Sequence, residues 1–214
     1  MPAEGMDWLP KDELLDFDEL ERLTRLMAGM GVSEIRVTGG EPLVRRDVPA
    51  LIARITAIDG INEVSITTNG VLLAEQLDDL VAAGLARVNV SVDSLDPDRF
   101  AELTRRRDLD RVLAGLGACE RYPQLRPIKV NAVLLRGLSE PDVVPLAEMA
   151  RHRPYVVRFI EVMPLDAPRD WERTSVLSGA EVRAMIEEHW PLVPAGRERP
   201  SAPGTHWRFA DGAG

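Results

Sequence analysis

Residues 87–97 read RVNVSVDSLDP. Val88, Val90 and Val92 alternate there with Asn89, Ser91 and Asp93. Side chains alternate across a strand with period two, so one face of this segment is apolar and the other carries an amide, a hydroxyl and a carboxylate. The same division recurs along the chain. In EVSITTN (63–69), Val64 and Ile66 alternate with Ser65, Thr67 and Asn69. In EIRVTGG (34–40), Ile35 and Val37 alternate with Arg36 and Thr38. In IKVNAVLL (128–135), Ile128, Val130 and Ala132 alternate with Lys129 and Asn131. In YVVRFIEVM (155–163), Arg158 and Glu161 interrupt an apolar run without sharing a face.

Helical patterns separate these segments. Residues 17–31 place Leu20, Leu23, Met27 and Met30 at helical spacing, behind an Asp16/Glu19 capping box. Further helices are expected over 48–58, over 74–83 (closed by Gly84), over 97–120 as one or two pieces, and over 139–151. Ser139 is the expected cap of the last, with Pro141 in its first turn. Strand and helix in alternation predict an α/β fold: a parallel sheet joined by right-handed crossovers. Parallel strands covered on both faces read as continuous apolar runs, and a closed eight-stranded barrel fills its interior with Val, Ile and Leu. A polar face instead predicts an open, partial (β/α) barrel around a polar ligand. The competing reading is an antiparallel sheet with one wet face, which the intervening helices oppose.

Arg36, Lys129 and Arg158 then point at the lumen. Burying a cation is costly unless it is paired, and an anionic ligand such as a phosphate ester offsets that cost. Lys129 is one of only two lysines against 24 arginines, so a lysine kept in mid-strand stands out. Its alternative reading is an edge residue snorkelling to solvent. Beyond residue 164 the alternation stops. Residues 178–190 form one more helix, with a Ser178/Glu181 capping box, and 194–214 (PAGRERPSAPGTHWRFADGAG) read as a loop with one edge strand. Residues 1–165 are therefore expected to form the core and 166–214 the start of a C-terminal extension, anchored by Trp171, Trp190 and Trp207.

The 214 residues include 26 Lys+Arg and 35 Asp+Glu, a net charge of −9. That balance excludes a general nucleic-acid binder. The single cysteine, Cys119, excludes a disulfide framework and any zinc or iron–sulfur site held by several thiolates of this chain, and points to a reducing cytoplasm. The start of the chain is acidic, unlike a signal peptide, and no stretch approaches the roughly 18 apolar residues of a membrane span. His152, His189 and His206 are scattered without metal-ligand spacing, and Arg105, Arg106 and Arg107 read as a solvated run.

Thr38-Gly39-Gly40-Glu41-Pro42 ends one strand. Paired glycines let main chain approach a ligand closely, at the rim where barrel sites lie. Glu41 offers a carboxylate for an ammonium group, and TTNG (67–70) ends the next strand at the same rim. With RVTGGEPLVRRD (36–47), ITTNG (66–70), RVNVSVDSLDP (87–97), KVNAV (129–133) and RFIEVMP (158–164), the chain resembles the radical S-adenosylmethionine (radical SAM) enzymes, and among them the GTP 3′,8-cyclase family of molybdenum-cofactor (molybdopterin) biosynthesis.

The resemblance implies a radical SAM partial barrel and a lyase. A [4Fe-4S] cluster cleaves S-adenosylmethionine to a 5′-deoxyadenosyl radical, which takes hydrogen from C3′ of GTP before that carbon joins C8. It assigns Arg36, Thr67 and Lys129 to GTP, and Gly40, Ser91 and Met163, with Glu41 beside them, to S-adenosylmethionine. It leaves room for a homodimer and implies a pathway partner enzyme that converts the cyclised GTP. The family's cluster cysteines, CxxxCxxC after the first strand and three more near the C-terminus, are not in this sequence. The family's third cysteine is commonly followed by Met-Pro, and this chain begins Met1-Pro2. The expectation is a chain cut at both ends and lacking the first strand, with a cluster-less paralogue as the alternative. Two other functions stay open: a non-catalytic nucleotide- or S-adenosylmethionine-binding remnant, and an unrelated phosphate-handling barrel enzyme. In the last, Lys129 would be the Schiff-base or phosphate residue and Glu41 or Glu161 a general base.

Overall fold

The computed structural model describes residue 10 and residues 13–163, 176–197 and 204–213. In chain order the elements are α1 (Phe17–Gly29), β1 (Glu34–Val37), α2 (Val48–Thr56), β2 (Glu63–Thr68), α3 (Leu73–Ala82), β3 (Arg87–Ser91), α4 (Pro97–Thr104), α5 (Leu109–Cys119), β4 (Ile128–Leu134), α6 (Glu140–His152), β5 (Tyr155–Glu161), α7 (Gly179–Glu187), β6 (Leu192–Gly196) and β7 (His206–Phe209). Strands β1 to β5 form one sheet in the order β1-β2-β3-β4-β5, and every pair is parallel. This overturns the antiparallel alternative. Sequential order with right-handed crossovers stacks the connecting helices on one face.

That face is dry. Val64, Ile66, Val88, Val90, Ile128, Val130 and Ala132 are fully buried, and they belong to one cluster with Ile52 and Ile55 of α2, Leu73, Leu77 and Leu80 of α3, Leu116 of α5 and Leu146 of α6. Each such side chain removed from water stabilises by roughly 1.5–3 kcal/mol. No helix among the described residues is long and apolar enough to cross a membrane.

Local chemistry sets the boundaries. The Asp16/Glu19 and Ser178/Glu181 capping boxes both form. Gly84 closes α3 with a φ of +97°, a conformation that costs glycine little. The stretch 97–120 is two helices. Asp96 caps α4 by accepting from the amides of Asp98 and Arg99, and α4 ends where Arg105 turns left-handed at φ +60°. Ser139 corrects one expectation. It makes no side-chain cap to α6; its hydroxyl accepts from the Leu135 amide and braces the preceding turn.

The C-terminal stretch corrects another, because it holds an antiparallel pair, β6 with β7. Arg151 of α6 lies over the rings of Trp190 and Phe209 at 4.9 and 4.8 Å and pairs with Asp211 at 2.6 Å, tying this hairpin to the core. Trp190 packs on the core as expected, whereas Trp207 is 38% exposed beneath Arg183. Trp171 lies outside the described residues.

The turn after β2 depends on one glycine. Gly70 has φ +79°, and a Cβ there would meet Val90 Cγ1 at 2.8 Å and Val112 Cγ1 at 3.1 Å. Gly70→Ala should therefore destabilise by about 1–3 kcal/mol in urea unfolding, through strain and overpacking. Gly117→Ala in α5, where a Cβ meets nothing within 4 Å, should be neutral or stabilising by about 0.5–1 kcal/mol.

Candidate functional site

The register assembles the polar residues of separate strands on the face opposite the helices. Residues paired across parallel strands share a face. Arg36 pairs with Ser65, Thr67 with Asn89, Asn89 with Lys129, Ser91 with Asn131, and Asn131 with Arg158. Arg36, Thr67, Ser91, Lys129 and Arg158 thus lie on one wall, as the alternation predicts. Lys129 sits in an interior strand and is only 4% exposed, which overturns its reading as a snorkelling edge residue. Thr67 is half-buried, and Arg36 and Ser91 are exposed. Asn89 is buried, its Nδ2 donating to the Ile66 carbonyl at 3.1 Å while its Oδ1 has no partner among the described residues.

The C-terminal rim is built around Glu41. Its Oε1 accepts from the Thr68 hydroxyl at 2.7 Å and the Leu43 amide at 3.1 Å, and its Oε2 accepts from the Asn69 amide at 2.6 Å. The carboxylate therefore clips the Gly-Gly loop after β1 to the end of β2. A Cβ built on neighbouring Gly39 (φ +153°) meets nothing within 4 Å, so main chain is open to an approaching ligand there. Gly40 is exposed beside it, and Met163, two residues beyond β5, is 58% exposed. Exposure fits a contact residue for Met163 better than core packing.

Glu161 lies on the opposite face. It pairs with Leu134, and its Oε1 accepts from the Gly179 amide at 2.7 Å at the start of α7. That position removes it as a general base in the lumen.

Two contacts went unread in the sequence. Asp93 continues the polar face of β3 past Ser91, as the alternation predicts, but its partner did not show. Its Oδ1 accepts from the Val133 amide at 2.9 Å, and burial raises its pKa above the usual carboxylate range, partly countered by that hydrogen bond. Asp142 of α6 is buried and receives the Ser94 hydroxyl at 2.7 Å and Arg99 Nε at 2.7 Å, locking the loop after β3 onto α6. Neighbouring residues along DSLDP (93–97) gave no hint of the latter, since its partner is 48 residues away in the chain.

Comparison with known proteins identifies the family. The Radical SAM superfamily model matches residues 4–150. The chain belongs to the radical SAM superfamily. It is 44% identical over 213 residues to a GTP 3′,8-cyclase of Mycolicibacterium smegmatis, covering 99% of this chain and 59% of the relative. It is 45% identical over 205 residues to one of Rhodopirellula baltica, covering 95% and 57%. The chain thus spans under two thirds of these curated relatives. Among solved structures, coproporphyrinogen III oxidase from Escherichia coli, a radical SAM enzyme, superposes with a TM-score of 0.57 over 80% of this chain and 43% of its own at 20% identity, a likeness of fold.

A radical SAM fold implies S-adenosylmethionine and an iron–sulfur cluster, and the two fit this chain differently. The open main chain at Gly39 and the exposed Gly40, Ser91 and Met163, each at or just beyond the C-terminal end of its strand, leave room for S-adenosylmethionine. No donor set suits a cluster. The sole cysteine, Cys119, is buried in α5, donates to the Gly115 carbonyl at 3.4 Å, and has its thiol pushed up to about 12 by burial and the Glu120 charge. Among the described residues no three His, Cys, Asp or Glu side chains gather for a metal ion.

Two outcomes follow. Glu41→Ala removes an acceptor from three donors and should cost about 1–3 kcal/mol in thermal unfolding, with faster amide exchange confined to 38–44 and 68–70. Asp93 carries a raised folded pKa, so its contribution to stability is whole below the unfolded value near 3.9 and is lost as pH rises through the folded value. Asp93→Asn, which keeps the acceptor for Val133, should be more stable than the parent at pH 7 and equal to it near pH 3.

Proposed function

We propose that this chain supplies the nucleotide- and S-adenosylmethionine-binding wall of a GTP 3′,8-cyclase, the radical SAM lyase of molybdenum-cofactor synthesis, working on GTP in the cytoplasm. The observation that carries the proposal is the shared face of Arg36, Thr67 and Lys129, three residues brought together from β1, β2 and β4. Relatives 44% and 45% identical that bear this name support it.

In this reading the triphosphate of GTP meets Arg36 and Lys129, with Arg158 on the same wall. Arginine gives planar, two-pronged hydrogen bonding to phosphate and lysine a compact point charge. Thr67 adds a hydroxyl contact. S-adenosylmethionine lies across the rim at Gly40, Ser91 and Met163, and supplies radical chemistry when a reducing cluster is bound beside it. This chain's own share is to bind both molecules, hold them in register and exclude water between them. Glu41 acts through the loop it clips, keeping Gly40 in place.

Titration calorimetry tests the assignment. Arg36→Ala and Lys129→Ala should each weaken GTP binding by about 10- to 100-fold while leaving S-adenosylmethionine affinity within twofold. Unchanged GTP binding in both variants would sink the assignment. Borohydride trapping of a carbonyl substrate on Lys129 would favour the aldolase-type alternative instead.

A further inference from the structure

β1 lies at the edge of the sheet: among the described residues it pairs with β2 alone. The Ser33 carbonyl accepts from the amides of Asn62 and Glu63 at 2.8 and 3.2 Å, and the Ile35 carbonyl accepts from the Ser65 hydroxyl at 3.3 Å. Main-chain groups alternate sides along a strand, so those of Glu34 and Arg36 point away from β2, toward the open edge. Such an edge is a template for one more strand.

The helix above that edge is uncovered too. Leu23, Leu26, Met27 and Met30 of α1 recur at the spacing of one helix face, and all four are exposed, Met30 at 85% and Leu26 at 61%. Asp18 and Glu21, on the other side of α1, reach Arg54 of α2. The apolar face therefore looks away from α2, over the open side of β1, and exposed Val32 continues it toward the strand. Single exposed apolar residues are ordinary, whereas a contiguous set beside an open strand edge marks an interface.

The edge is complementary to itself. Let β1 meet a second β1 antiparallel, with Ile35 opposite Ile35 on a two-fold axis. Glu34 then stands opposite the partner's Arg36, and Arg36 opposite the partner's Glu34. Both residues are exposed and alternate with half-buried Ile35 and Val37, so they share a face. Their outward main-chain groups fall opposite one another in the same register, where each pair exchanges both hydrogen bonds. A slip by two residues would set Glu34 against Glu34 or Arg36 against Arg36, and like charges directly opposite are destabilising. A two-fold axis normal to the sheet keeps both helix layers on one side, so the apolar faces of the two α1 helices meet above the joined strands.

We infer that the open edge of β1 and the apolar face of α1 dock a second copy of this chain, joining two five-stranded sheets through a β1–β1 pair. This interface does not depend on the proposed function. A guanidinium has five N–H donors, so Arg36 has capacity for both a partner's carboxylate and a phosphate.

Sedimentation of the intact chain over a dilution series, without nucleotide, tests the interface. The parent should form a reversible dimer. Glu34→Arg and Arg36→Glu should each weaken it by about 10- to 100-fold, because two attractive pairs become two like-charge pairs. An equimolar mixture of the two variants should restore a dimer of near-parental strength, since each pair again sets an arginine against a glutamate. That recovery separates the interface from any loss of folding in a single variant. Leu26→Lys should also weaken the dimer while keeping the parent's circular dichroism spectrum. A parent that stays monomeric at every concentration, a dimer unmoved by both charge variants, or a mixture no tighter than its components overturns the inference. Because no nucleotide is present, none of these results bears on the proposed function.

Discussion

Everything in this molecule depends on a sheet that is dry on one side and hydrogen-bonding on the other. Val64, Ile66, Val88, Val90, Ile128 and Val130 weld the strands to the helices with no exposure to solvent. Because consecutive side chains must point to opposite faces, fixing the apolar set also fixes Arg36, Thr67, Asn89, Ser91, Lys129 and Asn131 on the other side. A slip of one residue in β3 or β4 would drive a lysine or an asparagine into the helix layer. The hydrophobic core therefore does more than stabilise: it sets the position of each group on the binding wall.

Such a wall carries a cost that ordinary cores avoid. Lys129 is nearly buried in an interior strand, and among the described residues two amide oxygens on the same face lack partners. Buried polar groups persist where something offsets their desolvation. The rim above is rigid for a different reason. Glu41 ties the Gly-Gly loop to β2, and Asp142 ties the loop after β3 to α6, so each loop is held by a carboxylate.

One cysteine in 214 residues cannot supply the thiolates of an iron–sulfur cluster. Cys119 is a small buried hydrophobe in α5, with a thiol whose raised pKa disfavours the thiolate that ligation requires. Membership of the radical SAM superfamily is a property of these 214 residues; a set of cluster-ligating cysteines is not.

The amino-acid sequence alone determined the alternation of strands and helices, the two capping boxes, the turn at Gly84 and the division of each strand into a wet and a dry face. These are local, set by period and by neighbours within four residues. Tertiary structure decided what depends on distant partners. It placed Lys129 in an interior strand, moved Ser139 from helix cap to turn brace, turned an expected loop into the β6–β7 hairpin, and sent Glu161 to the far face. It also turned Glu41 from a free carboxylate into a clip, and set Asn131 between Ser91 and Arg158. The physical reason is one and the same: a hydrogen bond or a strand neighbour supplied from across the fold has no signature in the residues that flank it.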